Sequence, residues 1–106
     1  MPAASRGTQK DHVFSKTGMR GCCAYHINTT TNECSENVFV NDYGSVREGD
    51  LVYPHAFPTN CCSIDTNTLS KFSNKVFIND KGAGRIGDSY GDDNIITSGS
   101  NNVFFG

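Results

Sequence analysis

The hydrophobic positions of this chain gather in short β-prone runs, Val38-Phe39-Val40 and Val76-Phe77-Ile78. Each run leads into a polar turn, Asn41-Asp42-Tyr43-Gly44 or Asn79-Asp80-Lys81-Gly82, and then a brief return segment. This pattern predicts a β-hairpin, because Asn, Asp and Gly tolerate the positive φ that tight turns demand. Along each run, alternation sends half of the side chains inward and half toward the end of the molecule or solvent.

The hairpin is a repeating unit. Ser35 to Asp50 recurs as Ser73 to Asp88 at an offset of 38 residues, with nine of sixteen positions identical, among them Val, Phe, Asn, Asp, Gly, Arg and the closing Gly-Asp. A third copy is split across the chain ends. Ser100 to Gly106 matches the first half of the unit, and Pro2 to Thr8 is read against Gly82 to Asp88 as its second half. A repeat whose last member is completed by the opposite terminus implies a closed object in which the two ends meet. No unit can bury its apolar face alone, so three units share one core around an axis. The connections, residues 9–34, 51–72 and 89–99, are expected to converge at the end of the axis opposite the hairpin turns.

Composition narrows the partners. At 106 residues with 36% hydrophobic content and no Trp, the chain fits a single domain, residues 1–106, with a modest core. Abundant Gly and Asn and a mean hydropathy of −0.45 favour an all-β, loop-rich fold. The net charge is −2 and the Lys and Arg residues are scattered, so nucleic acid is not an expected partner. No apolar run approaches membrane-spanning length, and neither a signal peptide nor an anchor is expected. Five cysteines are many for this length: Cys22, Cys23, Cys34, Cys61 and Cys62. Their odd number, the two vicinal pairs and the expected lack of a secretory signal favour metal ligation or reduced burial over a complete disulfide framework.

At the repeated residues the chain resembles the PAAR-repeat family, named for a Pro-Ala-Ala-Arg motif, over nearly its whole length. The motif is read as Pro2-Ala3-Ala4 with Ser5 in the Arg slot, then Gly44-Ser45-Val46-Arg47 and Gly82-Ala83-Gly84-Arg85. Each is followed one residue later by Gly-Asp or its variant Gly7-Thr8. The resemblance implies an all-β, three-sided conical PAAR domain of three pseudo-repeated β-hairpins closed by the two termini, with a metal at the apex. It also implies a place on the β-helical tip of a trimeric spike, in contractile phage tails or type VI secretion systems, with one chain per trimer and transient contact with a target cell envelope. With no extension expected beyond Gly106, a virion tail baseplate is the expected setting, and secretion as the tip of a bacterial type VI apparatus is the alternative.

The resemblance places His and Cys around the apical metal. His12 follows Thr8, read as the Asp slot of the first unit, by four residues, and His55 follows Asp50 by five. The third connection offers Asp92 and Asp93 there, where the family more often has Cys. His26 and one of Cys61 and Cys62 can complete a tetrahedron, so the expected set is His12, His26, His55 and Cys62, holding zinc with iron as the alternative. For Cys22, Cys23 and Cys34, small buried thiols are favoured over a second metal site or a disulfide such as Cys23 to Cys34. Arg47 and Arg85 either contact the spike or pair internally with Asp50 and Asp88.

No nucleophile with a base at recognisable spacing, phosphate-binding glycine loop or paired-carboxylate cleft is evident, so no enzyme activity is expected. A hydrolytic zinc site would need a general base and a cleft, which a convex cone does not offer. A disulfide-stapled secreted binding module or inhibitor is the alternative to a structural tip.

Overall fold

Each Asn-Asp pair closes a two-residue hairpin. Asn41 and Asp42 have φ of 51° and 71°, and Asn79 and Asp80 have φ of 54° and 65°. Two successive left-handed residues make the type I′ turn, whose twist matches that of the strands it joins. The computed structural model describes residues 1–15, 27–56, 64–65, 67–91 and 94–106, with strands and no helix among them. These strands are β1 (His12–Ser15), β2 (Ile27–Thr30), β3 (Phe39–Val40), β4 (Tyr43–Gly44), β5 (His55–Ala56), β6 (Ile64–Asp65), β7 (Phe77–Ile78), β8 (Lys81–Gly82), β9 (Ser89–Tyr90) and β10 (Asn94–Ile96).

Strands β3 and β4 pair with Phe39 opposite Gly44, and β7 and β8 pair with Phe77 opposite Gly82. The chain ends supply the third such pair. Ala3 bridges Phe104, the Ala4 N–H donates to the Val103 carbonyl at 2.9 Å, and the Phe105 N–H donates to Pro2 at 2.9 Å. The expected meeting of the termini is therefore present.

Three backbone hydrogen bonds then run head to tail around an axis. Ser5 N–H donates to Gly84 at 3.0 Å, Gly84 N–H to Val46 at 2.8 Å, and Val46 N–H to Ser5 at 3.1 Å. The flanking bridges, Ala4 with Arg85, Ala83 with Arg47 and Ser45 with Arg6, obey the same rotation. A Cβ at Gly84 would lie 3.0 Å from both Leu69 Cδ2 and Val46 Cγ1, so the axial trio has no space for a third larger side chain.

Beyond this ring the strands close on themselves. One sheet has the order β2-β1-β10-β9, and its two edges are joined through the segments around Leu51–Tyr53 and Asn67–Leu69. The links are Thr31 with Val52, Leu51 with Thr68, and Leu69 with Tyr90. Closure leaves this belt no open edge. Inside it, Val13, Val52 and Tyr90 occupy equivalent places, as do Thr31, Leu69 and Ile96, and all six are buried. With Val46, the five other than Thr31 form the axial core, and Cys34 and Phe72 pack against it. The molecule measures 40 × 23 × 21 Å, one long axis and two nearly equal short ones.

The structure corrects the register of the first unit. Ala3, not Pro2, is the counterpart of Gly44 and Gly82, since each faces the middle Phe of a run. Ser5 is thus the partner of Val46 and Gly84, and Arg6 occupies the Arg slot assigned above to Ser5. The displacement has a local cause. Where the other units turn through Gly49 and Gly87 at φ 83° and 88°, the first turns through Thr8 and Gln9 at φ 53° and 64°. Together with the one-residue shift of register, this two-residue insertion moves the closing Asp from the Thr8 slot to Asp11.

Candidate functional site

The three arginines form one repeated device. Arg6, Arg47 and Arg85 each hold an aspartate in a two-pronged pair: Nη2 to Oδ1 of Asp11, Asp50 and Asp88 at 2.8, 3.0 and 2.9 Å, and Nε to Oδ2 at 3.1, 3.0 and 2.8 Å. The same Oδ2 accepts the arginine's own backbone N–H at 2.6, 2.8 and 2.9 Å. The remaining nitrogen, Nη1, reaches the neighbouring unit, bonding Asn41 Oδ1, Asn79 Oδ1 and the Gly106 carbonyl at 3.3, 3.1 and 3.1 Å. All three aspartates are buried. Hydrogen bonding to the carboxylates raises the arginine pKa values against the opposing effect of burial. Of the two roles open to Arg47 and Arg85, the structure selects the internal pair and adds a staple between units.

A second repeated device sits beside it. The hydroxyls of Ser35, Ser73 and Ser100 each accept two backbone N–H groups, from Asn37 and Val38, Lys75 and Val76, and Asn102 and Val103. This sharpens the bend that feeds each apolar run.

At the hairpin end, alternation places the middle residue of each run outward. Phe39, Phe77 and Phe104 are 60%, 60% and 47% exposed, while Val40 and Ile78 are buried. Three equivalent phenylalanines thus stand around the axis. From the sequence, an exposed apolar base is expected around Phe104, Phe105, Val38 and Val76; of these Phe104 is exposed and the other three are half-buried, while Phe39 and Phe77, not among them, are exposed.

The candidate metal ligands fall differently. With Asp11 as the closing aspartate, His12 is the counterpart of Leu51 and Ser89, paired with Thr30 as they pair with Thr68 and Ile95. Its side chain is exposed while that of Val13 turns into the core. His55 lies four residues beyond Leu51, roughly 13 Å further along an extended strand. His12 and His55 therefore do not occupy equivalent places in their units. His26, Cys22, Cys23, Cys61, Cys62, Asp92 and Asp93 lie outside the described residues. Among the described residues, no three His, Cys, Asp or Glu side chains are placed to share a metal ion. Cys34 is a free thiol, half-buried against the core.

Asp11, Tyr90, Phe39 and Phe77 are the residues the sequence reading missed. The insertion disguised Asp11, although an Arg followed by Gly and then Asp within five residues was the available signal. Neither a scan against known protein families nor a search of curated proteins returns a match for this chain.

Proposed function

We propose that this chain is the metal-stabilised tip that caps the trimeric β-helical, membrane-piercing spike of a contractile injection machine, in a phage tail baseplate before a bacterial type VI apparatus. The observation that carries the reading is the cyclic hydrogen-bond triangle of Ser5, Val46 and Gly84. A single chain acquires from it a pseudo-three-fold end, and such an end can offer three near-identical edges to a true three-fold trimer. The Phe39, Phe77 and Phe104 triad gives that end an apolar surface to bury. In this reading the fold is the three-sided PAAR cone, its hairpins at the base and its long connections at the point. It has no need of a catalytic group.

The metal belongs to the same reading, with zinc first and iron as the alternative. His55 rises toward the point, and His26 and Cys62 remain its proposed companions. The outward position of His12, low on the first strand, argues against that residue as a ligand. A closed His and Cys site would hold together loops that the small core cannot.

Mixing the purified chain with its cognate spike and weighing the complex tests the proposal. One chain per trimer is the expected result; three chains per trimer, or no association, defeats it.

A further inference from the structure

The residue that precedes each bend serine differs between the three units, Cys34, Phe72 and Gly99, and the tip reading does not use the difference. In the unit of residues 73–88, the ring of Phe72 lies across Gly82, so closely that a side chain at Gly82 would collide with Phe72 Cδ1. In the unit of residues 35–50 the equivalent pair is Cys34 over Gly44. The thiol covers the glycine but lacks the ring, and here an open cleft of about 970 Å³ lies on the flank of the molecule. Its walls carry Phe39 and Tyr43 together with Glu33, Glu36 and Asp42.

Charge is distributed just as unevenly. Glu33, Glu36 and Glu48 are exposed in this unit, and the matching positions of the next unit are Lys71, Asn74 and Ile86. Of the other charged groups lining the cleft, Arg47 and Asp50 neutralise each other, which leaves Lys81 as the opposing charge. The Tyr43 ring is already covered by a cation of the chain, since the Lys10 ammonium stands 5.2 Å from its centre.

We infer that this cleft is a flank docking site for an extended segment of a partner protein that inserts one aromatic side chain between flanking lysines or arginines. The space itself argues for the ring, because a phenylalanine of the chain fills its counterpart one unit away. The acidic rim of Glu33, Glu36 and Asp42 argues for the cations. The site lies beside the hairpin-end triad and breaks the three-fold pattern, so it takes one partner segment per chain.

The full chain, titrated with the peptide Lys-Lys-Phe-Lys-Lys and followed by backbone amide NMR shifts, tests the inference. Shifts confined to residues 32–50 with Thr8, Asn79 and Lys81 of the cleft lining, loss of binding when the peptide's Phe is replaced by Ala or its lysines by Glu, and weakening at high salt are expected. Cys34→Phe should refill the cleft as Phe72 fills its counterpart and weaken the peptide roughly tenfold or more. Glu36→Lys, on an exposed side chain, should do the same without touching the packing, which keeps the test decisive if Cys34→Phe does not fold. No binding at millimolar peptide, equal binding of the acidic peptide, shifts centred on Phe77 and Phe104, or unchanged affinity in a folded variant would overturn it. Spike stoichiometry is a separate measurement, so either idea can fail alone.

Discussion

Tyr90 carries the largest fully buried side chain, and its hydroxyl has no hydrogen-bond partner among the described residues. It fills the axial place that Val13 and Val52 leave open, so its ring is needed and its hydroxyl is a cost. Tyr90→Phe should therefore stabilise the protein by on the order of 1 kcal/mol, read as a higher melting temperature. Burial, reinforced by Asp50 and Asp11, pushes the phenol far above its ordinary value. The folded state then ionises later than the unfolded chain, so stability is full below about pH 10 and falls as pH rises past it. Tyr90→Phe should remove that part of the alkaline loss, and equal slopes for the two proteins between about pH 10 and 11 would contradict the assignment. The arginine pairs act oppositely on substitution. Arg85→Leu strands the Asp88 carboxylate, whose side chain is 2% exposed, and cuts the link to Gly106. A loss of roughly 2–4 kcal/mol in denaturant unfolding is expected.

At the scale of elements, stability is set by turns as much as by strands, since most strands here are two residues long. The type I′ turns use Asn-Asp, and the second position still bears a side chain in the left-handed region, at φ 65° for Asp80. Asp80→Gly should relieve that cost and raise stability by up to about 1 kcal/mol, measured by thermal melting. A decrease would mean that the Asp80 side chain makes a contribution of its own. Both hairpins were legible because the pattern of apolar run and Asn-Asp turn is local and occurs in the same form twice. The first unit was misread by one residue. Its turn through Thr8 and Gln9 replaces a glycine turn with a longer one, and sequence spacing cannot distinguish an inserted turn from a slipped register.

Across the whole molecule, the tip reading predicts that Phe77→Asp abolishes association with the trimeric spike while leaving metal content unchanged. An equal fall in metal content would mean that the substitution disturbs the fold rather than the face. For the metal itself, elemental analysis of the purified chain should find one zinc or iron. His55→Ala should lower that content sharply, and His12→Ala should not. Retention of metal by His55→Ala, or its loss from His12→Ala, would reverse the ligand assignment. The alternation of Val38, Phe39 and Val40 was written in the sequence, but its direction was not. Period-two spacing fixes that neighbours point opposite ways, and only packing against the other two units decided that Phe39 and Phe77 face out while Val40 and Ile78 face in.

The amino-acid sequence by itself determined the all-β class, the repeat, the two hairpins and the meeting of the chain ends, because each follows from local turn chemistry and an internal offset of 38 residues. The tertiary structure alone decided the roles that depend on a neighbour. It bound Arg6 to Asp11 across an insertion, turned His12 away from the axis, set three phenylalanines around one end and left a cleft where Cys34 stands in place of a ring. The physical reason is the axis. Residues far apart in the chain become equivalent only once three units share one core, and which side chain each unit turns inward depends on the other two.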